Sequence, residues 1–161
     1  MPAAAGGDGV WYFAYGSNLC TAQMAARTGV AHAGRARRAR LPGHRLAFNM
    51  RDGGSTYANV VRPGDGVSGV LYWCGRRELA ALDGFEVGYE RVPVEVLDEA
   101  GVRLDAVAYV ARPEFVTAGD HPATAYLRRI VRGAREHGLP EEYVRVIEAA
   151  AGCEVRGRGG W

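Results

Sequence analysis

Residues 12–19, with the sequence YFAYGSNL, join an apolar strand to a tight polar turn and then to a predicted helix. Gly16 can adopt backbone conformations that other residues avoid, and Ser17 and Asn18 are common in turns and at helix starts. Successive N–H groups at a helix start point towards a negative group. The pattern therefore predicts an anion-holding turn, but an ordinary structural junction would share it.

Glu86 is the carboxylate best suited to proton transfer. It lies in the segment LDGFEVG, residues 82–88, where apolar and small residues surround it. Burial among such neighbours would raise the pKa of its carboxyl towards neutrality, which suits a general base or acid. The local sequence alone favours a glutamate in an ordinary surface loop, because acidic loop residues are common. Asp83 is expected to close a helix rather than to act as a second catalytic carboxylate.

Other reactive groups form no recognisable site. The three cysteines, Cys20, Cys74 and Cys153, have neither disulfide-like nor zinc-like spacing, so we expect reduced thiols and no metal. Cys20 near a helix start is a candidate nucleophile, but no base lies beside it in sequence. Ser17 lacks the second glycine of Gly-x-Ser-x-Gly and is expected to be a donor rather than a nucleophile. All basic residues are arginine, which excludes a lysine Schiff base and a P-loop.

Composition is that of one soluble domain. The chain has 161 residues, of which 48% are hydrophobic and 24% charged. No apolar run is long enough to cross a bilayer, and the first residues do not resemble a signal peptide, so a cytoplasmic location is expected. The Gly-rich segments 1–9 and 154–161 are predicted to be flexible, which leaves a single folded domain over residues 10–153.

The order of elements predicts an α+β fold. We expect strands at 10–15, 31–40, 44–50, 57–62, 67–74, 89–97 and 102–111, with a loop at 51–55. Helices are predicted at 20–27, 76–82, 125–137 and 140–151. Strands dominate first and helices last, which favours a mainly antiparallel sheet, and six or seven strands can close into a small barrel.

Four segments in order resemble the γ-glutamylcyclotransferase family. The segment YFAYGSNL is similar to the family signature, and GVLYW at 69–73 resembles its central strand. The segment at 82–86 matches the family's Leu-Asp-x-x-Glu pattern, which carries the catalytic glutamate. The residues 122–126 and 133–143 are similar to its C-terminal helical pair. The resemblance covers residues 10–151 and implies a small mixed barrel flanked by helices, with the site at the barrel mouth.

The resemblance also implies a reaction. A γ-glutamyl compound, a small-molecule substrate, would cyclise to 5-oxoproline and release an amine or amino acid, with Glu86 transferring the protons and no cofactor. Gly16, Ser17, Asn18 and Leu19 would hold the α-carboxylate or the oxyanion. The pocket would be lined by Tyr15, Tyr89 and Tyr126, although a tyrosine in a strand or helix is often simply a core residue.

The leaving group stays open at this point. The turn sequence Gly-Ser-Asn-Leu resembles that of the γ-glutamyl-amino-acid enzymes more than that of the glutathione-specific branch. An amino acid and a γ-glutamyl-protected intermediate of a biosynthetic pathway are both compatible with it. Val87 and Gly88 follow Glu86 directly, where many relatives have a glycine and a longer loop, so the rim of the pocket is expected to differ.

Two other classes of protein are compatible with parts of the sequence. A non-catalytic module could keep the fold and bind a γ-glutamyl or other carboxylate ligand, although the presence of Glu86 argues against it. A nucleic-acid-associated protein could use the basic stripe formed by Arg35, Arg37, Arg38, Arg40, His44 and Arg45. The net charge of +2 and the lack of interleaved aromatic residues favour instead an exposed strand pair whose charges protect a sheet edge. We expect no nucleic-acid or membrane partner, and a homodimer is left open.

Overall fold

The structure is a computed structural model that describes residues 8–32 and 34–152. Its seven strands are β1 (Val10–Ala14), β2 (Arg37–Leu41), β3 (Arg45–Asp52), β4 (Ser55–Val61), β5 (Val67–Cys74), β6 (Tyr89–Asp98) and β7 (Arg103–Ala111). Its four α-helices are α1 (Thr21–Thr28), α2 (Arg76–Phe85), α3 (Thr124–Glu136) and α4 (Glu141–Ala150). Short 3-10 turns occupy Ser17–Leu19 and Pro113–Phe115. Cys153 and the predicted flexible segment 154–161 lie outside the described residues, as do residues 1–7.

Five of these strands form a closed barrel in the order β1-β5-β2-β6-β7. The strands β1 and β7 pair in parallel, and the other ladders are antiparallel. Strands β3 and β4 form a separate hairpin, so the α+β barrel is confirmed but its expected count of six or seven strands is wrong. A register shift between Ala47 and Met50 bends this hairpin away from a regular ladder.

Two local expectations are corrected. Residues 31, 32 and 34–36 are not in a strand: His32 is buried and packs edge-on against the Tyr72 ring at 5.1 Å, and Gly34 turns the chain with φ 74°. Residues 51–55 are not an open loop, because β3 runs to Asp52 and β4 begins at Ser55 around a Gly53-Gly54 turn. The remaining elements lie within a few residues of their predicted bounds.

Helix α3 fixes the 3-10 turn Ser17–Leu19 against the barrel. Its apolar face is buried through Leu127, Ile130 and Ala134. At Gly133 the helix passes so close to the turn that a Cβ atom would lie 2.4 Å from the carbonyl carbon of Leu19. Any side chain at this position would push the turn away, so Gly133 is required for the close approach.

The stripe arginines in β2, Arg37, Arg38 and Arg40, do not protect a sheet edge, because β2 pairs with β5 on one side and β6 on the other. Four arginines of the stripe contact neighbouring protein groups. Arg37 and Arg38 pair with Asp98 and Glu99, while Arg40 and Arg45 donate hydrogen bonds to backbone carbonyls. Within the described ranges, no helix is both long and apolar enough to cross a membrane.

Candidate active site

A cavity of about 350 Å³ lies where the 3-10 turn Ser17–Leu19, the end of α2 and helix α3 meet the barrel. It collects residues from five strands, β1, β3, β4, β6 and β7, and from three helices, α1, α2 and α3. Its lining residues are Tyr12, Tyr15, Gly16, Ser17, Asn18, Arg27, Met50, Asp52, Tyr57, Ala58, Phe85, Glu86, Val87, Tyr89, Tyr109, Tyr126 and Arg129.

Seven of the eight sequence-predicted site residues line this cavity, and Leu19 is the exception. Its side chain is fully buried in the core, and its N–H donates to the carbonyl of Gly16 at 3.0 Å. Leu19 therefore supports the turn from behind and is not placed to bind a ligand. Gly16 has φ −114°, so a left-handed backbone is not the reason for a glycine here.

The turn leaves two N–H groups without acceptors among the described residues, those of Ser17 and Asn18. Two side chains hold its carbonyls from the opposite side. The Tyr72 hydroxyl donates to the carbonyl of Asn18 at 2.7 Å, and Nε2 of His137 lies 2.9 Å from the carbonyl of Leu19. The turn is thus fixed in place with donors available at the cavity.

Glu86 lies at the end of α2, where its N–H donates to the carbonyl of Leu82 at 3.0 Å. Its side chain is only 14% exposed and contacts Arg27, with Oε2 and Nη1 3.1 Å apart. Burial raises the pKa of the Glu86 carboxyl to about 7, although Arg27 opposes this shift. Glu86 can therefore accept and release a proton near neutral pH, which agrees with the expectation from its apolar sequence neighbours.

The cavity tyrosines differ in what their hydroxyls can offer. Tyr15 donates to the carbonyl of Tyr109, and Tyr89 donates to the carbonyl of Ala58, both at 2.6 Å. The Tyr126 hydroxyl instead accepts the N–H of Ala58 at 3.0 Å, so its own proton is free to bind a ligand. Burial raises the pKa of all three phenols, which keeps them protonated.

Sequence reasoning missed Arg27, Gln23 and Arg129, which connect the turn to the cavity. Nε2 of Gln23 donates to Oγ of Ser17 at 2.7 Å and to Oδ1 of Asn18 at 3.0 Å. Nη1 of Arg129 in turn donates to Oε1 of Gln23 at 2.9 Å. A signal was available, because Gln23 and Arg27 are four residues apart in the helix that follows the turn and so share one face.

Other candidates lie elsewhere or have other contacts. Asp83 accepts a hydrogen bond from the Tyr109 hydroxyl at 2.7 Å and pairs with Arg91 at 3.5 Å, so it does more than close a helix. Cys20 is buried outside the cavity, and His137 contacts the carbonyl side of the turn. No cluster of three potential metal ligands occurs in the described part of the chain.

Comparisons with known proteins agree with this architecture. The AIG2-like family matches residues 66–147. The γ-glutamylcyclotransferase of Mus musculus is 29% identical over 163 residues, covering 94% of this chain and 84% of that protein. The Bos taurus γ-glutamylcyclotransferase is 30% identical over 164 residues with the same coverage.

Solved structures show the same fold. A structure described as γ-glutamyl cyclotransferase has a TM-score of 0.72 and 30% identity, with 88% of each chain covered. YkqA from Bacillus subtilis shares the fold with a TM-score of 0.79 at 24% identity, covering 93% of this chain and 56% of that one. The chain therefore belongs to the AIG2-like family, as an enzyme of the γ-glutamylcyclotransferase group.

Proposed function

We propose that this enzyme cyclises a γ-glutamyl amide. The α-amine of the substrate attacks its own γ-carbonyl carbon, 5-oxoproline forms, and an amine or amino acid departs. The observation that carries the proposal is Glu86, a carboxylate 14% exposed whose pKa is raised to about 7 inside a cavity lined by the predicted site residues. A base that is ionised near neutral pH is what deprotonation of the α-ammonium requires.

The reaction needs positioning more than a strong nucleophile. Nucleophile and carbonyl belong to one molecule, so the cavity has to hold the glutamyl chain folded with the amine near the γ-carbon. Glu86 removes a proton from the α-ammonium and delivers a proton to the leaving nitrogen. These steps use only acid–base groups, so the proposed chemistry requires no cofactor.

The turn and Tyr126 supply donors for the substrate. The N–H groups of Ser17 and Asn18 are available to an anion, which is either the α-carboxylate or the oxyanion of the tetrahedral intermediate. The free hydroxyl proton of Tyr126 can bind a further oxygen of the glutamyl group. Tyr15 and Tyr89 use their protons on backbone carbonyls, so they shape the pocket wall.

The rim of the cavity receives the leaving group. Phe85 and Val87 flank Glu86 and are 54% and 62% exposed, while Asp52 and Arg129 add one charge of each sign. We propose that the group at this position is either an amino acid or the amine released from a γ-glutamyl-protected biosynthetic intermediate. The mixed rim favours a leaving group with apolar surface next to the scissile amide.

The direct test is product formation from a substrate panel. Purified protein and its Glu86→Gln variant are incubated with γ-glutamyl amino acids, glutathione and a γ-glutamyl amine, and 5-oxoproline is measured by mass spectrometry. We expect Glu86-dependent 5-oxoproline from at least one substrate. Folded protein that binds a γ-glutamyl compound in calorimetry without converting it would contradict the enzyme and favour a binding module.

A further inference from the structure

Arg27 connects the base Glu86 to the turn. Its Nη1 atom lies 3.1 Å from Oε2 of Glu86 and 3.4 Å from Oδ1 of Asn18, and its guanidinium carbon lies 4.9 Å from the centre of the Phe85 ring. The side chain is 23% exposed and lines the cavity. Three contacts therefore hold a cation in a fixed place beside the group that transfers protons.

Most of the donors of this guanidinium remain available. Both side-chain hydrogen bonds of Arg27 use Nη1, and across residues 8–32 and 34–152 its Nε and Nη2 atoms have no acceptor. A guanidinium carries five N–H donors, so a further oxygen can be bound without breaking the contact with Glu86. The arginine is arranged to hold a second anion next to the first.

The proposed cyclisation creates such an anion. When Glu86 takes a proton it becomes neutral, and when the amine attacks, negative charge appears on the γ-carbonyl oxygen. We propose that Arg27 is a catalytic residue that pairs with Glu86 in the resting enzyme and with the oxyanion during the reaction. This inference rests on the proposed function. The cation then stays paired throughout, which requires little reorganisation at the moment of reaction.

The step balances in protons and electrons. One proton moves from the α-ammonium to Glu86, and the amine lone pair forms the new C–N bond while the carbonyl π pair moves to oxygen. The Glu86 proton then goes to the leaving nitrogen, and the oxygen pair re-forms the carbonyl as the old C–N bond breaks. The extra proton on the new ring nitrogen passes through Glu86 to the departing amine, so Glu86 ends as a carboxylate.

Other charged groups are less suited to this role. Arg129 is an exposed residue whose side-chain hydrogen bond goes to Gln23, and it makes no ion pair with Glu86. Arg91 is engaged with Asp83. Among the described residues, Arg27 is the cation within ion-pair distance of Glu86, so an oxyanion that forms near this carboxyl has Arg27 as its nearest cation.

Chemical rescue separates an electrostatic role from a structural one. In the Arg27→Ala variant we expect kcat to fall about 10²–10³-fold with little change in KM, since the lost interaction belongs to the transition state. Added guanidinium, at concentrations far below those that unfold proteins, should restore kcat at least about tenfold in a saturable way because it replaces the missing group. Urea has the same planar shape without the charge and should give no rescue.

The controls address folding and charge. Arg27→Lys keeps a cation and should retain more activity than Arg27→Ala, and both variants should show the circular dichroism and melting behaviour of a folded protein. Arg128→Ala removes an exposed arginine from α3 that does not line the cavity, and it should leave kcat within about twofold, as is usual for exposed positions.

The pH dependence provides the outcome that would overturn the inference. Arg27→Ala should also move the acidic limb of kcat/KM to higher pH, because Arg27 opposes the raised pKa of Glu86. The other titratable groups facing Glu86 stay in place in this variant: Asp83, Tyr12, Tyr15, Tyr89, Tyr109 and Tyr126. If the acidic limb of kcat/KM moves in Arg27→Ala while kcat on the pH plateau is retained, Arg27 acts only by lowering the pKa of Glu86. That result overturns this inference and leaves the proposed function intact, whereas wild-type protein without product contradicts both.

Discussion

Two arginine–carboxylate pairs on different parts of the barrel have opposite properties. Arg27 contacts Glu86 at 3.1 Å beside the cavity, and Arg37 contacts Asp98 at 2.8 Å at the end of β6. Each arginine also lies over an aromatic ring, at 4.9 Å from the centre of Phe85 and 5.4 Å from that of Trp11. Yet the pKa of the Glu86 carboxyl is raised to about 7, whereas that of Asp98 is lowered.

Backbone donors explain the difference. The backbone N–H of Val102 lowers the pKa of Asp98 most, and the N–H of Ala100 adds to it, with both groups 2.9 Å from Oδ1. Glu86 receives no comparable backbone bonds within the described residues and is desolvated by the cavity wall. Several N–H donors stabilise the charged form of a carboxylate and lower its pKa, so it stays ionised. A carboxylate with a single partner can still exchange a proton near neutral pH. The first arrangement suits a structural turn and the second a general base.

The largest expected effect comes from removing each carboxylate in turn. Glu86→Gln should lower kcat/KM about 10²–10⁴-fold, the usual contribution of a general base, without lowering the melting temperature at neutral pH. Asp98→Ala should keep kcat/KM within about twofold and lower the melting temperature, since Val102, Ala100 and Arg37 lose their acceptor. Steady-state kinetics and thermal unfolding of both variants check this. Loss of activity in the Asp98 variant alone would reverse the assignment.

The two carboxylates should also give stability opposite dependences on pH. Folded protein holds the Glu86 proton more tightly than unfolded protein, so its contribution is fully present below about pH 4.5 and is lost as pH rises to about 7. The size of this contribution is about 3 kcal/mol. Asp98 contributes stability above its ordinary pKa of 3.8, and that contribution is lost as pH falls.

Urea unfolding from pH 2 to pH 8 measures this second prediction, because the Asp98 contribution is lost only below about pH 3.8. Wild type should lose stability relative to Glu86→Gln as pH rises towards neutrality, because the Glu86 contribution is lost over this range. The difference between wild type and Asp98→Ala should instead shrink at the acidic end. A flat difference curve for Glu86→Gln would mean that Glu86 is not held in a desolvated site.

The sequence was sufficient for those parts of the site that lie close together in the chain. The turn at Gly16, Ser17 and Asn18 and the apolar surroundings of Glu86 are local patterns, and both lead to cavity residues. The carbonyl side of the same turn was not predictable, because Tyr72 and His137 reach it from distant elements.

Long-range packing accounts for the remaining differences. The strands β3 and β4 have strand-like sequences, but nothing in their alternation indicates that they pair with each other outside the barrel. Leu19 belongs to the same local motif as Ser17, yet the one-turn 3-10 geometry directs its side chain into the core. Arg27 reaches Glu86 across 59 residues of sequence, so only the docking of α1 against α2 brings the two together.

A smaller effect should distinguish two tyrosines of the cavity. Tyr126→Phe removes a hydroxyl whose proton is free for substrate, so kcat/KM should fall about tenfold. Tyr89→Phe leaves the carbonyl of Ala58 without this donor, so it should cost about 1 kcal/mol of stability and affect kcat/KM less. Kinetics and urea unfolding of the two variants, made in parallel, check the prediction. A larger kinetic loss for Tyr89→Phe would show that its hydroxyl contacts substrate.

The smallest effect is expected from a third ion pair, between Arg103 and Glu95 on neighbouring strands. Nη1 of Arg103 lies 3.0 Å from Oε1 of Glu95, slightly closer than Arg27 lies to Glu86, but the two side chains are 74% and 55% exposed. Water screens this pair, so Arg103→Gln should change the free energy of unfolding by about 0.5 kcal/mol or less and leave turnover unaffected. Unfolding at low and high salt measures it. The distance between the paired N and O atoms is nearly the same in this pair and in the Arg27–Glu86 pair. A large effect of Arg103→Gln would therefore mean that desolvation does not explain the raised pKa of Glu86.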